Sequence, residues 1–179
     1  MVTQSVTSAF WEFETELGWI TIVGGGRKLQ RLTFGAASRE SSLQPLDLGL
    51  MEISGSRSNW FPDLVRRLVA FASGAVDDFR NVELELAGKT LFQQSVIKHC
   101  RSIPIGQTRS YAELARMAGR PGAARAVGSV MSSNRFPLVV PCHRVVRAGG
   151  DIGRFSGPGG AGLKQRLLDH ESAMFAATE

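Results

Sequence analysis

The sequence predicts an α/β fold in two unlike parts. One is a small N-terminal α/β domain with a short antiparallel sheet; the other is a mostly helical C-terminal domain holding a helix-turn-helix. Three observations carry this. Strand-like alternation is concentrated in residues 10–35. Two short helical segments joined by a glycine-containing turn fall in 109–137. Charge divides the same way: residues 1–88 hold 8 Lys/Arg against 11 Asp/Glu (−3), and residues 89–179 hold 13 against 5 (+8). The boundary is drawn there, with a scaffold domain over 1–88 and a second domain over 89–179.

Residues 10–35, FWEFETELGWITIVGGGRKLQRLTFG, read as three short strands. Trp19, Thr21 and Val23 alternate with Ile20 and Ile22, and Leu32 and Phe34 alternate with Arg31 and Thr33. Gly24–Gly26 break the run as a hairpin loop does. Residues 36–58 are Ser- and Gly-rich without a period and read as a connector. In 59–74, Phe61, Leu64, Val65, Leu68, Val69 and Ala72 have helical spacing, with Pro62 near the start and Gly74 at the end. NVELELAG (81–88) reads as a further strand.

Thr90 caps the next helix, which carries Phe92, Val96, Ile97 and Cys100 on one face until Pro104 and Gly106 end the segment. Cys100 reads as core, since free cysteine is among the most buried residue types. Ser110 and Glu113 form a capping box, and Tyr111, Leu114, Ala115 and Ala118 make one face of the helix that follows. GRPG turns the chain. A second helix runs from about Ala123 to Ser132 and is stopped by Asn134 and Pro137. This is the helix-turn-helix pattern.

The second of these helices lacks the Asn, Gln and multiple Arg of a major-groove reader. It offers Ala123, Ala124, Ala126, Gly128 and Ser129 around a single Arg125. Small side chains let a backbone approach DNA closely, even in a narrow groove, leaving one long cation to enter the base stack. A tightly packed core helix with one solvated arginine is the other reading of the same residues.

Composition narrows the class. The 179 residues are 43% hydrophobic and 21% charged, as in a globular chain. No window approaches about eighteen uninterrupted apolar residues, so no membrane helix is expected. The N-terminus lacks a basic start followed by an apolar core, so no secretory signal is expected. Two cysteines make no disulfide framework, and an intracellular, reducing setting follows. The basic half suggests nucleic acid as its partner.

The chemistry centres on LVVPCHRVVR (138–147). A thiol of ordinary pKa, about 8.5, is only a few per cent thiolate at neutral pH, so a reactive Cys142 needs cations or a base nearby. His143 and Arg144 adjoin it. In an extended chain neighbouring side chains point to opposite faces, so a relay from Cys142 to His143 needs a bridging water or a turn. Glu171, in LLDHE, is available to orient the histidine. Pro141 restricts its own backbone and presses Val140 toward extended geometry. A structural cysteine beside a surface histidine reads equally well from the pair alone. Two cysteines and three histidines with neither CxxC nor HxxxH spacing argue strongly against a zinc site. A cysteine protease pairing Cys142 with His99 or His170 leaves the helix-turn-helix unexplained.

VVPCHRVVRAGGDIGRFSG closely resembles the active-site region of the O6-alkylguanine-DNA alkyltransferases, also called methylated-DNA–protein-cysteine methyltransferases. SYAELARMAGRPGAARAVGSVMSSN resembles that family's helix-turn-helix, and the resemblance covers roughly residues 90–171. It implies Cys142 as alkyl acceptor, with His143 and Glu171 taking the thiol proton through a water and Asn134 bracing the preceding turn. It implies Arg125 replacing a flipped nucleotide and Tyr111 facing the guanine. Ala124, Ala126 and Gly128 would lie in the minor groove, and Met131 would wall the base pocket. The Ser156 N–H would point at O6, and the Val145 and Cys142 carbonyls would accept from the guanine amino group.

The implied reaction is single-turnover transfer from O6-alkylguanine, and O4-alkylthymine, in double-stranded DNA, with no cofactor and a monomeric protein. The implied location is the cytoplasm or nucleoid of a prokaryote, or the nucleus of a eukaryote. Phe155 stands where many members have tyrosine, and SGPGGAGLK is a longer, more Gly-rich pocket loop than usual. Some members bind zinc near the N-terminus, but residues 1–88 hold no Cys or His. A lesion-binding protein with an unreactive cysteine is the alternative. Its known branch carries tryptophan at the position of Cys142.

Overall fold

The computed structural model describes residues 8–44, 61–153, 155–157 and 159–176. Strands β1 (Ala9–Phe13), β2 (Trp19–Gly25) and β3 (Lys28–Ala36) form an antiparallel meander in that order. Ile22 stands opposite Trp11 on one side and Leu32 on the other. Ile20, Ile22, Leu32 and Phe34 are buried on the sheet face that meets helix α2 (Phe61–Ala72). Gly24 makes that contact possible. A Cβ there would lie 2.6 Å from the Lys28 carbonyl oxygen and 2.8 Å from the Phe61 ring.

The buried residues of α2 are Phe61, Leu64, Leu68, Phe71 and Ala72. Val69 is exposed and Val65 half-buried, so the aromatic residues set the inward face. Phe71 meets Phe79 edge-on, with ring centroids 5.5 Å apart. Residues 59 and 60 of the expected helix lie outside the described residues, as do 45–58 of the expected connector.

The described part of that connector contains a helix, α1 (Arg39–Leu43). It has no apolar period, and serine hydroxyls make it. Ser38 and Ser41 form a reciprocal capping box, Thr21 donates to the Ser42 hydroxyl at 2.9 Å, and Thr33 donates to the Ser42 carbonyl at 3.0 Å. The strand expected over 81–88 reduces to one parallel bridge, Leu29 to Leu84. The segment just before it is claimed elsewhere. The Arg101 guanidinium donates to the carbonyls of Phe79, Arg80 and Val82 at 2.8, 2.8 and 3.0 Å, which leaves those acceptors no ladder to join.

Helices α3 (Leu91–Arg101), α4 (Tyr111–Met117) and α5 (Ala124–Ser132) follow, α3 and α4 capped by the Thr90/Gln93 and Ser110/Glu113 boxes. The two-residue strands β4 (Arg109–Ser110) and β5 (Val145–Val146) pair in parallel. They hold the chain just after Cys142 against the start of α4. Helix α6 (Gly160–Ala176) buries Leu163, Leu167 and Met174, and His170 Nε2 donates to the Phe71 carbonyl at 2.8 Å. One hydrophobic cluster thus runs from the sheet through α2 to α6. The Leu32 N–H, bonded to the Arg135 carbonyl at 2.8 Å, ties β3 to the loop that leads to Cys142.

Candidate active site

Cys142–Arg144 form a single 3₁₀ turn, correcting the extended geometry expected of PCHRV. The approach to the turn is shaped by Leu138, which sits at φ 71°, a conformation costing about 1–3 kcal/mol unless its surroundings enforce it. Asn134 does much of the enforcing. Its Oδ1 accepts from the Phe136 N–H at 3.0 Å, and its Nδ2 donates to the Val140 carbonyl at 2.9 Å and to Cys142 Sγ at 3.2 Å. One amide therefore sets the loop and contacts the sulfur.

Behind the turn lies a buried ionic cluster. His143 Nε2 meets Glu171 Oε1 at 2.9 Å. Arg144 donates to the same carboxylate through Nε, at 3.1 and 2.9 Å, and through Nη2 at 2.7 Å, and its Nη1 reaches the Ile103 carbonyl at 2.6 Å. All three side chains are almost fully buried. Burial raises the Glu171 pKa, but hydrogen bonds from His143 and Arg144 and their charges outweigh it and hold the carboxyl at about 2. Burial pulls the His143 pKa below its usual value, against the pull of Glu171. The neutral ring therefore donates from Nε2 to the carboxylate, and Nδ1 is left as a buried acceptor with no partner among the described residues. Burial also raises the Cys142 pKa, offset in part by the Asn134 hydrogen bond and the Lys164 charge. The resting group is a thiol with an acceptor-bearing imidazole beside it in sequence.

Cys142 opens onto a cleft of about 730 Å³ lined by Tyr111, Ala124, Arg125, Gly128, Met131, Ser132, Arg147, Phe155 and Ser156. Eight of the twelve residues singled out from sequence meet around the sulfur or in this cleft. His143 and Glu171 stand behind it. Ala126 lies on the exposed outer face of α5. Val145 is buried, and its carbonyl already accepts from Lys164 Nζ at 2.6 Å. Val127, Val130 and Met131 are the buried face of α5, while Arg125, Ala126, Ser129 and Ser132 are exposed. The packed-core reading thus holds for one face only, and the other is a shelf of small side chains with one free cation.

Sequence reasoning passed over Lys164 and the part played by Arg144. Lys164 is 1% exposed and bonds the Val145 and Ile152 carbonyls, both at 2.6 Å, pinning the strand after Cys142 to α6. A signal existed: Lys164 and Glu171 adjoin the Leu163/Leu167/Met174 spacing, where a charge must find a buried partner. Among the described residues no group of three or more His, Cys, Asp or Glu could hold a metal ion, and no helix is long and apolar enough to cross a membrane. Asn134→Ala is expected to cost about 1–3 kcal/mol by orphaning buried groups. It should also raise the thiol pKa further, read as an upward shift in the pH dependence of Cys142 alkylation by iodoacetamide.

Residues 91–173 match the family described as 6-O-methylguanine DNA methyltransferase, DNA binding domain. A methylated-DNA–protein-cysteine methyltransferase of Mycobacterium bovis is 37% identical over 166 residues, covering 89% of this chain and 90% of the relative. The crystal structure of Mycobacterium tuberculosis OGT in complex with DNA superimposes with a TM-score of 0.71 at 34% identity, over 93% of this chain and 94% of that one. The O6-methylguanine-DNA methyltransferase of Pyrococcus kodakaraensis gives 0.69 at 27% identity, over 92% and 99%.

Proposed function

The chain belongs to the methylated-DNA–protein-cysteine methyltransferase family, and we propose that it removes the alkyl group of O6-alkylguanine in duplex DNA by transferring it irreversibly to its own Cys142. DNA repair by alkyl transfer is the activity and DNA the partner. The observation that carries the residue assignment is the sulfur at the wall of a cleft bordered by α5, hydrogen-bonded by Asn134 and backed by His143 and Glu171.

The proposed chemistry is displacement at saturated carbon. The Cys142 S–H proton passes, through a water, to the unpartnered Nδ1 of His143, and Glu171 stabilises the imidazolium that forms. The thiolate sulfur bonds to the alkyl carbon as the carbon–O6 bond breaks. Guanine leaves as an anion and recovers a proton. Hydrogen-bond donors at the pocket, such as the Ser156 N–H, stabilise that anion as it develops. The product thioether is not readily cleaved by water, so one protein repairs one lesion. Bond making and breaking balance within protein and substrate, which is why no cofactor is invoked.

Reaching O6 requires extruding the nucleotide, at a cost of a few kcal/mol. The exposed shelf of α5 supports a minor-groove approach, with Arg125 filling the vacated stack. Two free thiols support an intracellular setting, and a monomer is supported by Cys142, Asn134, His143 and Glu171 all coming from one chain. The lesion-sensor alternative is disfavoured by a cysteine that is both hydrogen-bonded and backed by a base.

The test is intact-protein mass spectrometry after mixing with a duplex holding one O6-methylguanine. One methyl per protein, mapped to the Cys142 peptide, is expected. An unmodified protein that still shifts the duplex on a gel would make it a sensor. Arg125→Ala is expected to slow repair in duplex at least about tenfold more than reaction with free O6-benzylguanine, because only the duplex must be opened. Equal losses would assign Arg125 to the fold.

A further inference from the structure

Arg147 is a cation in the cleft with no assigned work. It follows β5 directly, is exposed, and lines the same cavity as Cys142 and Arg125. Its backbone is fixed: the Arg147 N–H donates to the Asp151 carbonyl at 2.8 Å, and the Gly150 N–H donates back to the Arg147 carbonyl at 3.1 Å. Its side-chain stem is guided as well. A Cβ on Gly153, at φ 70°, would lie 3.4 Å from Arg147 Cγ and Nε, so the arginine lies over a glycine that leaves it room. Among the described residues the guanidinium forms no hydrogen bond, ion pair or ring contact, not even with Asp151 nearby. Its charge reaches the Tyr111 hydroxyl, whose pKa it lowers against the upward push of burial.

An oriented, unpaired guanidinium at a substrate cleft is built for an anionic oxygen group. Two sources exist in this reaction: the backbone phosphate beside the extruded nucleotide, and an acidic substituent on O6. Every DNA substrate brings the phosphate, whereas simple alkyl groups carry no charge. Resting on the reading that this chain acts on extruded O6-alkylguanine, we infer that Arg147 is a positioning residue that holds a phosphate flanking the flipped nucleotide. Arg125 fills the stack, and Arg147 retains the strand that has left it.

The test uses the full chain with Arg147→Gln and Arg147→Lys, and duplexes in which the phosphate 5′ or 3′ to O6-methylguanine is a neutral methylphosphonate. Arg147→Gln is expected to lower the ratio of duplex to free-base reaction about tenfold and to reduce the salt slope of binding by about 1. Arg147→Lys should restore the slope. One of the two methylphosphonates should weaken the wild type as much as Arg147→Gln does, and cost the Gln variant little more, because the pair is coupled. Unchanged ratio and slope in Arg147→Gln would overturn the inference. So would a loss confined to O6-carboxymethylguanine with the slope intact, which would assign Arg147 to the alkyl group. A wild type that transfers no methyl would instead refute the alkyl-transfer reading itself.

Discussion

Cys142→Ser is expected to abolish methyl transfer while leaving the fold and DNA binding in place. Oxygen replaces sulfur in a buried position that Asn134 still hydrogen-bonds, so packing changes little. Nucleophilicity changes greatly, because a hydroxyl keeps its proton far above the pH at which a thiol yields its own, and the softer sulfur is lost. Intact mass should be unchanged after incubation with O6-methylguanine duplex, with the gel shift retained. A methyl group still appearing on the Cys142→Ser protein would sink the assignment. Cys100 is the control. It is fully buried, and burial drives its thiol pKa well above the ordinary value, so Cys100→Ser should still accept one methyl.

The parts of this site that are local in sequence are legible there. The Ser110/Glu113 box announces α4, and small residues around Arg125 announce a helix with a close-approach face. PCHRV places thiol and histidine together. What is not legible is made by long-range hydrogen bonds. Nothing in VVPCHR announces a 3₁₀ turn, which depends on Asn134 reaching eight residues ahead and on Leu138 held at positive φ. Helix α1 escapes because serine hydroxyls bonded to Thr21 and Thr33 build it, without an apolar stripe. The expected strand at 81–88 fails because Arg101, some twenty residues away, captures the carbonyls of Phe79, Arg80 and Val82, just ahead of it and at its start. Lys164 looks like an ordinary helix lysine until the Val145 and Ile152 carbonyls are brought over it.

Glu171→Gln should show that the same cluster sets both stability and reactivity. The carboxylate accepts from the neutral His143 ring and the Arg144 guanidinium inside the protein, and its removal leaves that guanidinium, 3% exposed, without a counter-charge. Breaking a buried pair from one side costs about 3–5 kcal/mol, a large share of the roughly 5–15 kcal/mol available. The urea midpoint should fall accordingly, with an unchanged slope. The acid limb gives an independent reading. Glu171 is held at about 2, below its usual 4.5, so its stabilisation is full above the ordinary carboxylate range and drains away as pH falls from about 4.5 to 2. His143 is held below 6.5, so the unfolded chain takes up that proton first, and stability also falls as pH drops below about 6.5. Wild-type stability should therefore decline from about pH 6.5 and more steeply below 4.5. In Glu171→Gln the steeper part should shrink to the share of the other depressed carboxylates, chiefly Asp77, where burial pushes the pKa up but the Arg67 hydrogen bonds hold it down. Equal acid slopes in the two proteins would refute the pairing. The transfer rate should fall by about 10²-fold or more, since His143 loses the partner that fixes its tautomer and supports its charge. A merely structural glutamate would leave the pH profile of transfer unmoved, whereas loss of a carboxylate supporting the imidazolium moves its acid limb.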